Sequence, residues 1–371
     1  MENLKIAILN DFPFDVGISN YVYNIYLNLK KHNIQVEFYQ FALDHDRNNK
    51  YFQGVNTVKG INFRINKSRP LNQILGINYR AFKRLNSMYD IIIISNPTLN
   101  KVSKYFDNVI AVGLDLYFLF EKGNSILYIL YSKYIRNQYK LFKKFKLIIC
   151  DSDFTKKEFI KYLGIEDRRI HTVYPAINTE IFHPGDRSFR KSLDINDEDI
   201  LLLNVAYDGP NKNIKSVLGL LYKLPENFKL IRIGRNFTSL KTIKELRLEN
   251  RVYLFENLDS NKLGDIYRSS DFFVFPSLFE GFGIPVAEAM AVGLPVIVSN
   301  RTALPEVVGD AGLIFDPYDI EGMKNAILEL SKNEEKYNSM KEKSIERAKI
   351  FSYENQFKSL NEVFHKFMNT F

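Results

Sequence analysis

The stretch FPSLFEGFGIPVAEAMAVG, residues 275–293, places two carboxylates, Glu280 and Glu288, eight positions apart. A Gly-Phe-Gly loop and the predicted first turn of a helix lie between them. The free N–H groups and positive dipole end of such a helix favour phosphate. A carboxylate two turns into the helix can accept hydrogen bonds from a ribose diol, and one before the helix can face a sugar beyond the phosphates. The stretch therefore predicts a segment that can hold a nucleoside diphosphate sugar end to end.

Short apolar runs typical of strands recur in both halves of the chain, separated by helix-length segments. They are residues 5–9, 35–41, 91–95, 109–112 and 147–150, followed by 200–205, 229–233, 252–255, 272–275, 296–299 and 313–315. This alternation indicates parallel sheets with crossover helices. Two such series predict an α/β protein with two doubly wound parallel-sheet (Rossmann-like) domains facing across a cleft. Ligands of such sheets bind at the carboxyl ends of the strands.

Prolines and a glycine interrupt the alternation at residues 174–186, YPAINTEIFHPGD. Such a break is typical of a connection between domains. We therefore expect one domain over residues 1–175 and a second over residues 176–350.

The composition favours a soluble or peripherally bound cytoplasmic protein. The chain of 371 residues has a single cysteine, Cys150, which excludes an internal disulfide and fits a reducing compartment. Its first residues do not resemble a signal peptide. No apolar run approaches the roughly 20 residues that a membrane-spanning helix needs.

Positive charge is concentrated in the first half of the chain. Within an overall charge of +8, residues 1–185 carry about +10 and the remainder about −2. Residues 126–146, ILYILYSKYIRNQYKLFKKFK, can form a basic amphipathic helix. Such a helix either packs on the first sheet with a solvated basic face or contacts an anionic surface on the inner face of the membrane. We expect no nucleic-acid partner, because the chain has no recognisable nucleic-acid-binding module and no tryptophan.

Two further residues lie in strand-to-helix loops where a phosphate ligand would bind. Gly17 follows the first strand of the chain, where it permits close approach of the backbone or serves as an ordinary turn residue. The fingerprint G-x-G-x-x-G is missing there. Lys212 follows the first strand of the second half, where a lysine can reach a diphosphate as a mobile charge.

The sequence predicts no metal site and no bound cofactor. Asp151-Ser152-Asp153 spells a D-x-D triplet, but such triplets are frequent by chance. The five histidines show no spacing typical of metal ligands.

These motifs together resemble glycosyltransferase family 4. The most specific part is residues 275–317, in which the opening stretch continues to LPEVV at 304–308 and GLIFDP at 312–317. DSDFTK at 151–156, IHTVYPAIN at 170–178 and Lys212-Asn213 also resemble the family. The resemblance implies the GT-B fold, with an N-terminal acceptor domain and a C-terminal donor domain. Residues 351–371, which open with FSY, resemble the family's last helix, which packs back on the first domain. It also implies transfer of a sugar from a nucleotide donor with retention of anomeric configuration and without a bound metal.

The resemblance also implies roles for individual residues. Glu288 would bind the donor ribose, and Glu280 would lie against the donor sugar. Lys212 would act with Glu280 in catalysis and hold the diphosphate. The backbone of Phe282, Gly283 and Ile284 would hold the diphosphate as well, and Gly17 would approach it from the first domain.

Two departures from the family pattern bear on activity. Many relatives carry an arginine five or six positions before the lysine, where this chain has Ala206 and Tyr207; Arg235 or Arg232 would have to replace it. Many relatives also have His-Asp-Leu after the fourth strand, where this chain has Leu114-Asp115-Leu116. Asp115 is then the predicted contact for a glycan or lipid-linked acceptor. The alternatives are a nucleotide-sugar-binding protein without transferase activity and a GT-B sugar-nucleotide epimerase.

Overall fold

The computed structural model describes residues 4–10, 17–42, 56–59, 85–95, 99–100, 106–120, 126–193, 195–196, 198–235 and 239–370. The chain divides into two compact units. The first contains Met1–Ala176 and Tyr353–Phe371, and the second contains Ile177–Ser352.

Each unit is built on one parallel sheet. The strands of the first sheet are β1 (Lys5–Asn10), β2 (Gln35–Ala42), β3 (Asn56–Lys59), β4 (Ile91–Ile94), β5 (Val109–Gly113), β6 (Leu147–Cys150) and β7 (Ile170–Thr172). Those of the second are β8 (Ile200–Val205), β9 (Phe228–Ile233), β10 (Val252–Phe255), β11 (Phe272–Phe275), β12 (Val296–Ser299) and β13 (Gly312–Phe315). Their orders are β3-β2-β1-β4-β5-β6-β7 and β10-β9-β8-β11-β12-β13.

Helices connect the strands in both units. They are α1 (Gly17–Lys31), α2 (Tyr117–Phe120), α3 (Ile126–Lys140), α4 (Asp153–Leu163), α5 (Ile214–Lys223), α6 (Leu240–Glu245), α7 (Ser260–Ser269), α8 (Ile284–Ala291), α9 (Leu304–Val308), α10 (Ile320–Lys332), α11 (Glu334–Ala348) and α12 (Tyr353–Thr370). Short 3-10 turns lie at Leu85–Ser87, Leu141–Lys144, Asp167–Arg169, Ser188–Leu193, Pro210–Lys212 and Lys349–Phe351. None of the helices described here is long and apolar enough to cross a bilayer.

The central strands of the first sheet are apolar on both faces because helices cover both. Ile6 and Ile8 of β1 enter one core together with α1 and α12. Ala7 and Leu9 of the same strand enter the other core together with α3 and α4. The strands therefore lack the polar alternation of a half-exposed sheet, as expected for parallel strands covered on both sides.

The last helix belongs to the first unit. Its buried residues Leu360, Val363, Phe364 and Phe367 follow helical spacing and share one core with the first sheet. The amide of Asn28 in α1 donates to the carbonyl of Tyr353 at 2.8 Å. These contacts attach α12 to α1 through both apolar packing and hydrogen bonds.

The predicted fold class, two doubly wound parallel sheets, is confirmed. In each sheet the order reverses next to the unit's first strand, between β1 and β4 and between β8 and β11. Ligands of doubly wound sheets bind at such switch points, beyond the carboxyl ends of the strands. In the second unit, the two loops that leave the switch point are residues 206–213 and 276–283.

Candidate active site

Lys212 and Glu280 meet where the loops after β8 and β11 come together. Lys212 ends the 3-10 turn Pro210–Lys212, and its Nζ lies 2.6 Å from Oε1 of Glu280. The two side chains are only 13% and 11% exposed. A charge removed from water to this extent needs a counter-charge. The pair therefore brings an anionic and a cationic group together at the switch point.

A serine shares the same carboxylate oxygen. The hydroxyl of the fully buried Ser277 donates to Oε1 of Glu280 at 2.6 Å. The backbone N–H of Glu280 donates to Oγ1 of Thr302 at 3.0 Å. Lys212 and Ser277 thus hold the Glu280 carboxylate, and Thr302 holds the Glu280 backbone.

Asparagine side chains fasten the two loops to each other. Asn211 donates from its amide to the carbonyl of Phe279 at 3.2 Å and accepts at its backbone carbonyl from the N–H of Leu278 at 2.7 Å. The Asn213 amide donates to the carbonyls of Pro276 at 3.1 Å and Pro317 at 2.9 Å. Lys212 stands between these two asparagines, so its backbone is held against the β11 loop.

Two aromatic rings flank the Lys212 ammonium. Its Nζ lies 5.3 Å from the ring centroid of Tyr207 and 5.7 Å from that of Phe275, distances at which a ring face attracts a cation. Tyr207 is 52% exposed, and its hydroxyl lies 3.1 Å from Oδ1 of Asn211. A ring therefore stands beside Lys212 at one of the two positions where many family members carry an arginine.

The helix after the Gly-Phe-Gly loop begins as the sequence indicates. Gly283 has φ of 103°, a conformation that favours glycine, and an added Cβ would lie 2.8 Å from Cδ2 of Leu304. α8 then starts at Ile284, with Pro285 in its first turn. The ring of the buried Phe282 packs edge-on against Phe351, with centroids 5.1 Å apart. The backbone of 282–284 thus opens a helix whose N-terminus favours anions.

Glu288 lies one turn into α8, not two turns as expected from the sequence, and has a different partner. The hydroxyl of the buried Tyr267 donates to its Oε2 at 2.9 Å. Burial raises the pKa of Glu288 to about 7, and the Tyr267 bond acts in the opposite direction. Burial and the neighbouring Glu288 charge together raise the pKa of Tyr267 well above its usual value. Glu288 is therefore a half-buried carboxyl that titrates near neutrality.

Of the two arginines considered for the missing cation, Arg232 is already engaged. It is 1% exposed and pairs with Asp208, and it also donates to Oδ1 of Asn204 at 2.8 Å and to the carbonyl of Ala206 at 2.7 Å. Burial lowers the pKa of Arg232. Arg232 thus supports the loop after β8, whereas Arg235 is exposed just beyond β9.

The candidate residues of the first unit lie at the starts of helices. Gly17 is the first residue of α1. Asp115 accepts at Oδ1 from the N–H of Tyr117 at 2.9 Å, which caps the start of α2. Leu114, at the place of the family histidine, packs against the core shared with α1 and α12.

The D-x-D triplet forms the start of a helix. Ser152 caps α4 by accepting from the N–H of Thr155 at 3.0 Å. Asp153 accepts from the hydroxyl of Thr172 at 2.5 Å. Among the described residues, no group of three histidine, cysteine, aspartate or glutamate side chains is placed to hold a metal ion.

Sequence reasoning missed Ser277, Thr302 and Tyr267. Ser277 stands three residues before Glu280, a spacing that signals a loop contact only when the loop conformation is known. Thr302 and Tyr267 reach the two glutamates from other elements, 22 positions after Glu280 and 21 before Glu288. No local sequence pattern predicts such contacts.

The basic segment, predicted as one helix over residues 126–146, is α3 up to Lys140 followed by the 3-10 turn Leu141–Lys144. Ile135 and Tyr139 of α3 are buried in the core with the first sheet. Ile129 and Leu130 are 54% and 59% exposed. The basic side chains of α3 and the following turn are also exposed: Lys133, Arg136, Lys140, Lys143 and Lys144.

Comparisons with known proteins agree with this geometry. Residues 16–181 match the family model described as Glycosyltransferase Family 4, and residues 186–347 match that described as Glycosyl transferases group 1. The O-antigen chain mannosyltransferase B of Escherichia coli is 31% identical over 57% of this chain and 58% of its own length. The O-antigen chain mannosyltransferase RfbU of Salmonella typhimurium is 27% identical over 48% of this chain and 49% of its own. The chain thus spans about half the length of these relatives.

A solved structure extends the likeness to the whole chain. Anabaena HepE in complex with UDP and glucose aligns with a TM-score of 0.81 at 16% identity, over 98% of this chain and 100% of its own. At that identity the likeness shows the fold alone. Together the comparisons support a glycosyltransferase with the GT-B fold.

Proposed function

We propose that the protein is a retaining glycosyltransferase that moves a hexose from a nucleoside diphosphate sugar to a hydroxyl of a glycan or lipid-linked acceptor. The observation that carries the proposal is the Lys212–Glu280 pair, 2.6 Å apart at the switch point of the second sheet. The N-terminus of α8 and the half-buried Glu288 follow Glu280 along the chain. The Lys212 cation and the helix N-terminus suit the diphosphate, and the Glu288 carboxylate suits the ribose.

In this reaction the bond between the anomeric carbon and the diphosphate breaks, and its electrons pass to the phosphate oxygen. Lys212 and the N-terminus of α8 stabilise the charge that develops there. The acceptor oxygen bonds to the anomeric carbon on the same face, and its proton passes to the departing phosphate. Glu280 orients the sugar, while Gly17 and Asp115 stay predicted contacts of the diphosphate and the acceptor.

Relatives suggest which donors should be tried first. Two relatives are O-antigen chain mannosyltransferases, and the similar Anabaena structure holds UDP and glucose. We therefore propose a mannosyl or glucosyl donor. A thermal-shift screen with nucleotide sugars tests this directly, because a ligand that binds only the native state raises the apparent stability.

Two alternatives differ in what they release. A nucleotide-sugar-binding protein without transferase activity would show the thermal shift but no turnover with any acceptor. A GT-B sugar-nucleotide epimerase would change or release the donor without an acceptor. Leu114 and Tyr207, which replace the family histidine and arginine, motivate the first alternative.

We expect donor binding to be independent of divalent metal. The diphosphate would be held by Lys212 and the N-terminus of α8, while Ser152 and Asp153 of the D-x-D triplet are engaged at the start of α4. In calorimetric titrations of UDP and of GDP, each nucleotide should bind with the same affinity in the presence and in the absence of EDTA. Loss of binding on chelation would contradict the metal-free site.

We further propose that the exposed side of α3 attaches the protein to the inner face of an anionic membrane. Ile129 and Leu130 supply apolar surface there, and five exposed cations lie on α3 and the following turn. Each lysine or arginine near an anionic surface contributes about 1 kcal/mol, so four or five suffice for reversible attachment. The partly exposed apolar side chains can enter the headgroup boundary.

Cosedimentation with liposomes tests this attachment. The protein should sediment with anionic but not neutral vesicles, and binding should fade in salt of about 1 M, where the screening length is about 3 Å. Lys140, Lys143 and Lys144 changed together to Glu should abolish binding. The control triple change of Lys332, Lys336 and Lys343 to Glu alters the net charge equally on the second unit, where all three are exposed. An equal loss of vesicle binding in both triple variants would contradict attachment through the exposed side of α3.

A further inference from the structure

Tyr267 donates its hydroxyl hydrogen bond to Glu288, and its aromatic neighbours limit where that hydroxyl can lie. It stands in the last turn of α7, and its side chain is fully buried. Its ring stacks on Phe273 with centroids 5.8 Å apart and meets Phe182 edge-on at 5.3 Å. These rings restrict the ring plane of Tyr267, so the hydroxyl has little freedom to move away from Glu288.

A buried phenol needs a hydrogen-bond partner, and Tyr267 has a charged one. Its hydroxyl donates to Oε2 of Glu288 at 2.9 Å and lies 3.4 Å from the carbonyl of Pro285. Within the part of the chain that the structure describes, no side chain donates to the other oxygen, Oε1. The bond therefore distinguishes the two carboxylate oxygens of Glu288.

We propose that Tyr267 is a positioning residue for the donor ribose, holding Glu288 turned so that Oε1 remains for the ribose diol. This inference rests on the proposed function, in which Glu288 binds the ribose. Tyr267 is fully buried, and the proposal gives it no contact with the donor. It acts through Glu288, so its effect should be absent for ligands without ribose hydroxyls.

The Tyr267 hydroxyl affects the pKa of Glu288 as well as the position of its carboxyl group. Burial raises the pKa of Glu288 to about 7, and the bond from Tyr267 is the one opposing influence among the described groups. β11 and β12, which pack on α8, carry no charged side chain. Three basic side chains of the neighbouring helices have other partners: Arg268 with Asp265 and the carbonyl of Ile181, Arg347 with the carbonyls of Glu306 and Val307, and Lys341 over the ring of Tyr337.

The contribution of the ribose hydroxyls to nucleotide affinity should depend on pH. A carboxylate accepts hydrogen bonds from both ribose hydroxyls, whereas the neutral acid retains a proton of its own. The ribose contribution is therefore present above about pH 7 and lost as the pH falls through the Glu288 pKa. Removing the Tyr267 hydroxyl removes the influence that lowers this pKa, so the same contribution should appear only at higher pH.

The experiment compares UDP and GDP with their 2′,3′-dideoxy analogues. Affinities are measured from about pH 6 to about pH 9, the range in which a carboxyl raised to this extent titrates. The ratio of the two affinities isolates the ribose, because the diphosphate and Lys212 contribute equally to both ligands. In the unmodified protein the preference for the ribose form should grow as the pH rises. In Tyr267→Phe the midpoint should move upward, and the preference at neutral pH should fall roughly three- to tenfold.

Two control variants separate positioning from structure. Tyr337→Phe removes a hydroxyl of the same unit that donates to the carbonyl of Asp271 at 2.9 Å, so it should leave the ratio unchanged. Glu288→Gln should remove the pH dependence of the ratio, and adding Tyr267→Phe to it should change nothing further.

The outcomes distinguish a failure of the Tyr267 role from a failure of the proposed function. A Tyr267→Phe profile that superimposes on that of the unmodified protein, while Glu288→Gln loses the pH dependence, overturns the role of Tyr267 and leaves the ribose role of Glu288 intact. An unmodified protein that binds neither nucleotide, or does not prefer the ribose form, overturns the proposed function and this inference with it.

Discussion

Replacing Lys212 with methionine should lower turnover about 10²- to 10³-fold, the loss typical when one group that stabilises a developing anion is removed. Methionine retains most of the length and apolar volume of the lysine stem, which lies near the rings of Tyr207 and Phe275. The lost interaction is strongest when charge develops on the leaving diphosphate, so kcat should fall more than nucleotide affinity. Initial rates at saturating donor measure this effect.

Lys215→Met is the matched control for this prediction. Lys215 stands three positions further along the chain, in the first turn of α5, and is exposed. Its replacement removes the same charge from the same region and should leave kcat unchanged. Similar losses of kcat in the two variants would mean that the overall positive charge of the second unit matters, and not the position of Lys212. Thermal unfolding of both variants shows whether Glu280 without its partner destabilises the unit.

The two glutamates should fail in different ways when each is changed to alanine. Glu280→Ala should lower turnover by about 10²-fold, because a misplaced donor sugar loses that much rate. Its affinity for UDP or GDP should stay equal or rise, because Lys212 is no longer shared between a carboxylate and the diphosphate. Glu288→Ala should instead weaken nucleotide binding by roughly 1–3 kcal/mol, the value of hydrogen bonds to a charged group.

Calorimetry with the nucleotide and initial rates with the nucleotide sugar measure the two effects separately. Changing Glu306 to Ala provides a control, because Glu306 is a carboxylate of the nearby helix α9, and its backbone carbonyl accepts from Arg347. Equal losses of nucleotide affinity in the two glutamate variants would contradict the division of roles between sugar and ribose.

The central strands could be predicted from sequence because their burial on both faces leaves a continuous apolar run. Residues 200–205 and 272–275 coincide with β8 and β11, and the same reasoning located the remaining central strands. β3 and β7 were missed. They lie at the two edges of the first sheet, and NTVK and IHT contain few apolar residues, so hydrophobic patterning does not distinguish them from loops.

Side-chain partners were predictable only where the topology determines them. The switch point brings the loops of Lys212 and Glu280 side by side, so their proximity follows from the strand order. The bond from Tyr267 to Glu288 depends on how α7 packs against α8, which no local pattern specifies. Arg232 illustrates the same limit, because its role depends on the buried partner Asp208 across the loop.

Acceptor-dependent transfer observed by NMR tests the central claim most directly. Purified protein is given UDP-glucose or GDP-mannose, with and without an alkyl glycoside acceptor, and the anomeric proton is followed together with nucleotide release. The account predicts nucleotide release that requires both acceptor and Lys212, and a product with the anomeric configuration of the donor. Release or epimerisation of the donor without acceptor, or a product of inverted configuration, would contradict it.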